Sequence, residues 1–497
     1  MKRIGTMLML LAVAGSALAG EPAPKRPQRP IALDEVVRLA LERNILLAAE
    51  KINPKRADTV VVEQMSIFDP TAYSQLSRAR TKERPRTGAL GGEQDAAQSV
   101  LGVAKLFPLG TTVDVHAGAA REWSDSQVTE IDPSYDEEWG FTLTQPLLRG
   151  LGVLVNTAGI ATARNERRIA QAQLRDVALK TVSDAKQVYW ELVFSIRNRE
   201  LLQRSLERAE NLQREVQARV EAGVLGERDP SVAQARAEVA IRQEDIVVAE
   251  DAIHDTEEAL KVITDLAADP KIWDVAFIPT TQPPEELPIP AVDQAVETGL
   301  ARRPDYQAAR IAIENQDLQL LVRRNELLPR LDFQLSGGHT GRGTSWNAAD
   351  HYMGTMDYYN WAIGLNFEYP LGNRAAKSRL RRAQLERRQI VLNLRAFERQ
   401  IQLEVRNGVR QQATNAGRLR AADASVAAEE ERLRAEEIRF REARVGTGQD
   451  VLDAQAALAE AERRRLRALI DLNVSAVERE RLQGTLLETS NVVFEED

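Results

Sequence analysis

The sequence predicts an α+β chain of two internal repeats, in which membrane-length strands feed helices far longer than globular domains use. Three observations predict it. The first is a strand: Tyr359, Trp361, Ile363, Leu365, Phe367 and Tyr369 alternate with Asn360, Ala362, Gly364, Asn366, Glu368 and Pro370. A period of two puts the large apolar set on one face and the small or polar set on the other. About ten such residues, aromatic at both ends, suffice for a tilted strand to cross a bilayer within a barrel. The second is a helix. Pro370-Leu371-Gly372-Asn373 stops the strand, and from Ala375 the chain is rich in Ala, Leu, Arg, Glu and Gln without another proline. About 65 helical residues at about 1.5 Å each would reach roughly 100 Å. The third is repetition. Trp139, Phe141 and Leu143 alternate with Gly140, Thr142 and Thr144, Gln145-Pro146-Leu147-Leu148-Arg149-Gly150 supplies a stop, and a proline-free polar run extends from Val153 past Val220.

Composition narrows the class. Charged residues make up 28% of the 497 and hydrophobic ones 43%, which excludes a helical membrane protein. Met1 to Ala19 reads as a secretory signal: Lys2 and Arg3, an apolar core from Met7 to Ala14, and Ala17-Leu18-Ala19 as the cleavage site. Without Lys2 and Arg3, the 66 basic residues fall to 64 against 74 acidic ones, a balance that argues against nucleic acid as partner. There are no cysteines, so an exported chain must be stable through packing or assembly and cannot be a lipoprotein. No apolar run of membrane-helix length follows the signal, so any crossing must be by strands.

The elements follow in order. Residues 20–32 are an extended, proline-rich leader. Leu33, Val36, Val37, Ala40 and Leu41 set a helical pattern that breaks near Asn44, and a second helical stretch runs from about Ala48 to Ser66. A weak strand follows through Ala72, Ser74 and Leu76. Arg78 to Gln98, charged and rich in Gly and Thr, reads as a mobile loop. Val100 to Phe107 and Thr112 to Ala119 read as a hairpin turning at Pro108-Leu109-Gly110. Glu122 to Glu138 is a second polar loop before the strand at Trp139.

The first long helix carries Leu174, Ala178, Thr181, Ala185, Val188 and Leu192 at spacings of four and three, a seam of mostly small residues that permits close helix approach. It ends near Ala222 to Gly226, and Asp229-Pro230 caps a return helix to about Leu266. Residues 269–290 hold six prolines and read as a linker. Val292, Asp293, Val296, Leu300, Arg302, Ala308 and Ile311 then stand 259 positions after Leu33, Asp34, Val37, Leu41, Arg43, Ala49 and Ile52. A constant offset over such a span marks an internal repeat. Leu331, Phe333 and Leu335 form a strand, and Gly337 to Asp357 a loop. The second long helix turns at Arg444 to Gln449, and Asp450 is expected to cap a return helix whose apolar positions are Val451, Ala454, Leu458 and Ala461.

The resulting division is a signal peptide at 1–19, the leader, a first repeat at 33–268, the linker, a second repeat at 291–484 and an acidic tail at 485–497. Membrane strands fall at about 71–145 and 330–369, and long helical hairpins at about 153–266 and 375–484.

The signal, the paired openings Leu33-Asp34-Glu35-Val36-Val37 and Val292-Asp293-Gln294-Ala295-Val296, the strand exits Leu143-Thr144-Gln145-Pro146-Leu147 and Tyr369-Pro370-Leu371, and the tip from Val445 to Gln455 resemble the TolC family of outer membrane efflux proteins. The resemblance covers nearly the whole mature chain. It implies a homotrimer sharing one outer-membrane β-barrel, continued by an α-helical coiled-coil tunnel across the periplasm. Such a duct gives passive exit to small molecules or proteins, working with a periplasmic adaptor and an inner-membrane pump. A few strands per protomer would leave open edges in lipid, which trimerisation closes. The extra hairpin at Val100 to Ala119 exceeds the family's two strands per repeat, so four or six strands per protomer both stay open. Arg444 stands where the first tip has Gly223.

The resemblance puts Asp450 and Asp453 at a periplasmic constriction, where three copies would make acidic rings that favour cations. A cap and a dipole-compensating acid is the plain alternative for the pair. The tips, Gly223, Val224, Leu225 and Gly226 with Arg444, Val445, Gly446, Thr447 and Gly448, are where the resemblance places adaptor docking. His116, His254, His339 and His351 have no metal-ligand spacing, and no catalytic constellation or cofactor motif is legible, so an enzyme is not expected. The competing class is a periplasmic coiled-coil adaptor or scaffold without membrane strands. The aromatic alternation at Trp139 and Tyr359 speaks against it.

Overall fold

Two long helical hairpins and one six-stranded sheet dominate the computed structural model, which describes residues 26–84, 91–224, 226, 229–443 and 447–492. The signal peptide, the start of the leader, and the tip positions Leu225, Arg444, Val445 and Gly446 lie outside the described residues.

The chain opens with β1 (Gln28–Ile31), α1 (Leu33–Arg43), α2 (Ile45–Glu50) and α3 (Ile52–Met65). Four strands follow: β2 (Thr71–Lys82), β3 (Glu93–Leu106), β4 (Thr112–Ser124) and β5 (Ser134–Pro146). A short α4 (Val153–Asn156) leads to α5 (Ala158–Glu221) and its return partner α6 (Pro230–Ile263). After β6 (Ala276–Pro279) come α7 (Val292–Arg302), α8 (Pro304–Asn325), β7 (Arg330–Gly343), α9 (Trp346–Thr355) and β8 (Tyr359–Glu368). The second hairpin is α10 (Arg374–Ile438) and α11 (Gly448–Leu482), followed by a short α12 (Leu486–Thr489).

The repeat register holds at the level of element starts. Leu33 and Val292 open α1 and α7, Ile45 and Pro304 open α2 and α8, and Thr71 and Arg330 open β2 and β7, each pair 259 positions apart. The halves differ at one residue with a physical cause. Pro54 has no N–H to give the Glu50 carbonyl, so the helix breaks into α2 and α3, whereas Ile313 at the matching position lets α8 run unbroken.

The sheet order is β2-β3-β4-β5-β7-β8, antiparallel throughout, so this sheet has six strands among the described residues. Its register places Tyr359, His339, Trp139, Ala117 and Leu101 in one cross-strand row. Two residues on, Trp361, Gly337, Phe141, Val115 and Val103 share the same face. That face is apolar and uncovered: Trp361 is 67% exposed and Leu365 68%. The opposite face carries Asp114, His116, Thr142, Gln334 and Asn360. An apolar-out, polar-in sheet is what a barrel wall requires.

Three expected loops are shorter than their composition suggests. Arg78 to Lys82 and Glu93 to Gln98 are strand, as are Glu122 to Ser124 and Ser134 to Glu138. Their charges are cross-strand partners: Arg78 donates to Asp95 at 2.8 and 3.0 Å, and Arg80 and Lys82 both reach Glu93. Within Gly337 to Asp357, β7 continues to Gly343 and α9 packs back on it. Gly341 makes that approach possible, because a Cβ there would collide with the Ala349 carbonyl.

Leader and linker are also ordered where described. Gln28–Ile31 pairs in parallel with Ala276–Pro279. Tyr189 of α5, fully buried, donates to the Ile31 carbonyl and accepts from Thr281 N–H at 2.9 Å. Arg26 reaches the buried Glu257 at 2.9 Å. Farther along the linker, the carbonyls of Pro284 and Pro288 accept from Asn473 and Gln412, both buried. The largest core sits here, where Trp190, Leu192, Leu260, Phe277 and Ile470 bring α5, α6, β6 and α11 together.

The hairpins prolong the sheet. Helices α5 and α10, 64 and 65 residues long, pack against α3 and α8 near the sheet and against α6 and α11 beyond it. At about 1.5 Å per residue each runs about 96 Å. Most of the expected seam is inward: Ala178, Thr181, Ala185 and Leu192 are buried, as are Val451, Ala454, Leu458 and Ala461 on α11, while Leu174 and Val188 are half-buried. Helix α11 also lies along α5, binding the two repeats into one body.

Candidate functional site

The far end of the hairpins is built from helix-terminal chemistry. Helix α5 stops in a Schellman motif: Val224 N–H reaches the Arg219 carbonyl at 2.9 Å, Gly223 N–H reaches Val220 at 3.0 Å, and Gly223 takes φ +71°. Asp229 then caps α6, accepting from Ser231 N–H at 2.9 Å and from its hydroxyl at 2.6 Å, with Pro230 in the first turn. Those two bonds, the hydroxyl's first, hold the Asp229 carboxyl below its ordinary value.

The second tip is closed differently. Helix α10 ends in a π-turn, Arg439–Ala443. Thr447, rather than Asp450, is the N-cap of α11: its hydroxyl accepts from Asp450 N–H at 3.3 Å. The Asp450 carboxylate reaches back, accepting from Thr447 N–H at 2.9 Å and from its hydroxyl at 2.7 Å. This is a capping box, and it holds the Asp450 carboxyl below its ordinary value, chiefly through the Thr447 backbone bond. Sequence reasoning missed it because the helix starts two residues before Asp450, at Gly448. Asp453, one turn on, is exposed and accepts from Gln449 at 2.7 Å. Asp450 and Asp453 thus share an exposed stretch of α11 beside its buried seam.

The two tips are joined by residues the sequence reading did not single out. Phe440, 4% exposed, packs with Leu212, Val216, Leu433, Val451, Leu452 and Leu458. The Arg219 guanidinium lies 3.7 Å from the Phe440 ring centroid and donates to the Phe440 carbonyl at 2.9 Å. Glu215 accepts from Arg219 at 3.1 Å and from Arg441 at 3.3 Å. Gly448 sits against Ser231, Val216 and Phe440, so the start of α11 meets the start of α6. A single aromatic seven residues after Leu433, in an Arg- and Glu-rich helix end, was the available signal.

Nearer the sheet, Arg303 ties the α7–α8 corner to α10 within the second repeat. Its guanidinium reaches Glu404 of α10 at 2.7 Å and Asp305 at 2.7 and 3.1 Å. Burial works against its charge, yet the bonds to Asp305 and Glu404 outweigh it and raise its pKa. The four histidines do not meet: His116 contacts Asp114 at 3.0 Å, and His339 stacks on Trp139. Among the described residues no cluster could hold a metal ion.

A family model described as outer membrane efflux protein matches residues 89–264 and 295–480. Among solved structures, the fold is similar to the CmeC outer membrane channel of Campylobacter jejuni, at 18% identity over 96% of this chain and 94% of that one, with a TM-score of 0.62. It is likewise similar to the outer membrane protein VceC of Vibrio cholerae, at 18% identity, 91% and 96% coverage and a TM-score of 0.63. CusC, a protein whose structures describe transmembrane channel formation, gives 14% identity, 91% and 92% coverage and 0.65. No curated protein matches the sequence.

Proposed function

The chain belongs to the outer membrane efflux protein family, and on that premise we propose that three copies join their sheets into one barrel and their hairpins into one periplasmic tunnel. The protein is an outer membrane channel of efflux, reaching from that membrane into the periplasm. The reading as a soluble scaffold has no support, since it leaves the apolar sheet face without a use.

One observation supports the joining of copies. The sheet ends in two edges, β2 and β8, with no partner for either among the described residues. With six antiparallel strands, β8 of one copy and β2 of the next run in opposite directions, so ring closure needs no change of pattern. Three six-stranded sheets give eighteen strands. At a spacing of about 4.8 Å and a tilt of about 40°, that ring is about 36 Å across its backbone, wide enough for a water-filled duct. Exposed apolar residues on the helices, Ile52 and Val62 of α3, Val247 and Val248 of α6, and Leu392 and Leu403 of α10, support helix contacts between copies.

In this duct the tips form the periplasmic entrance. Asp450 and Asp453 supply acidic rings there, and Gly223 to Gly226 with Arg444 to Gly448 meet a periplasmic adaptor that connects to an inner-membrane pump. Transport through the duct is passive and involves no covalent chemistry. The test is reconstitution: the purified protein should run as a trimer in mild detergent and give ion-conducting steps in a planar bilayer. A monomer without conductance overturns the reading.

A further inference from the structure

A groove of about 780 Å³ opens between α1, α3 and α5, close to the end of the described chain. Its apolar lining includes Leu41, Leu47 and Leu174. Around them the charges are unequal. Arg38 is paired with Glu42, and Asp58 with Arg167. The other charged residues of the lining are Lys51, Lys55 and Arg175 against Asp34, an excess of basic groups. Lys51 gives one N–H to the Leu41 carbonyl and keeps two for a ligand.

The chain is steered into this groove by a helix end. Asn491, at φ +52°, closes α12: its N–H reaches the Glu488 carbonyl at 3.0 Å, and Val492 N–H reaches Leu487 at 2.9 Å. These are the two bonds of a Schellman motif, with asparagine where glycine is usual. The motif's apolar contact is present too, because Val492 and Leu487 pack on Val37, Leu179 and Leu486. Ser490, Asn491 and Val492 thereby form part of the groove wall. The next residues are Val493-Phe494-Glu495-Glu496-Asp497, two apolar and then three acidic, and they lie outside the described residues.

We propose that this groove is the docking site of residues 493–497 of the same chain, with Phe494 on the apolar floor and the acids against Lys51 and Lys55. Reach permits it: Val492 already lines the groove, and from there two extended residues span about 7 Å and five about 17 Å. Charge order permits it as well, since apolar residues come first along the path and carboxylates last. The result is a staple that ties the end of the second repeat to the opening helices of the first.

A chain without cysteines makes the test clean. In the assembled full-length protein, Leu41→Cys with Phe494→Cys should form a disulfide within one chain in more than half of the molecules on mild oxidation. A disulfide to a neighbouring copy, or none, overturns the proposal. Should that variant fail to assemble, Lys55→Cys with Glu496→Cys, both at groove-edge positions, reads the same contact with the same outcomes. Adding Glu495→Lys, Glu496→Lys and Asp497→Lys to the first pair should slow disulfide formation at least fivefold at low salt. An unchanged rate overturns the charge pairing.

Discussion

The guanidinium of Arg219 lies 3.7 Å from the centre of the Phe440 ring while donating to the Phe440 carbonyl, so one side chain holds both the ring and the backbone of the opposite hairpin. The carbonyl it takes up belongs to the π-turn of α10, whose ordinary helical bonding is interrupted there. This contact is the clasp between the tips. Replacing Phe440 by Ala should destabilise the hairpin ends by about 3–4 kcal/mol, the cost of an emptied aromatic site. Arg219→Ala should cost less and act locally. Both should speed proteolysis at the tips and raise single-channel conductance; conductance and cleavage equal to the parent would show that the clasp does not restrain the entrance.

Asp450 and Asp453 separate by role. Asp450 is engaged with Thr447, whereas Asp453, among the described residues, accepts from a neighbouring side chain, Gln449. Asp453→Asn should therefore lower cation selectivity without loosening the helix start. Asp450→Asn should do both, because the capping box goes with the charge. Reversal potentials in a salt gradient measure the first effect and amide exchange near Thr447 the second. Unchanged reversal potentials in the double variant would remove the acidic ring.

The same bonds give the tips a pH dependence of known sign. Asp229 and Asp450 both have folded-state carboxyls below their ordinary values. A depressed pKa contributes stability that is present above the unfolded value, about 3.9, and lost as pH falls through the folded one. Cleavage at the tips by an acid-active protease should accelerate below about pH 4. In the Asp229→Asn, Asp450→Asn variant, cleavage should be faster at neutral pH and change less on acidification.

Facing on the sheet can be read by two neighbouring substitutions. Ile363 lies on the apolar face with Leu335 and Leu143, and Ala362 on the polar face with Ser336 and Thr142. Ile363→Arg should cost about 2–4 kcal/mol of membrane stability near mid-depth. Ala362→Arg should be far milder, with its charge in water, and should instead shift ion selectivity. Urea unfolding from lipid vesicles measures both. Equal costs would mean that the two faces see the same surroundings.

At the corner between α7 and α8, Arg303→Ala leaves Asp305 and Glu404 facing each other across α8 and α10 without their shared cation. Because both acids are about a third exposed, the loss should be about 2 kcal/mol, below that of a fully buried pair. A shift of thermal unfolding measures it, and Arg303→Lys should recover only part, lacking the forked geometry.

Local patterns in the chain were enough for the two-repeat plan, the six stretches of outward alternation or hairpin signal, the long helices and their inward seams. Alternation, proline stops and heptad spacing act over a few residues, and neighbours in sequence carry them whole. Asp229-Pro230 was legible for that reason. Thr447 was not, since Thr and Asp are both good caps and only the backbone decides which one stands outside the helix.

What the tertiary structure decided depends on partners far away in sequence. Arg78, Arg80, Glu93 and Asp95 look like a solvated loop until β2 and β3 are in register, and then their charges cancel across strands. Gln28–Ile31 and Ala276–Pro279 have no strand signal of their own, and pair because the folded repeats bring leader and linker together over Tyr189. The Arg219 and Phe440 clasp is of the same kind. A periodic face can be read residue by residue, but a contact between positions 221 apart exists only once two hairpins of equal length have been packed side by side.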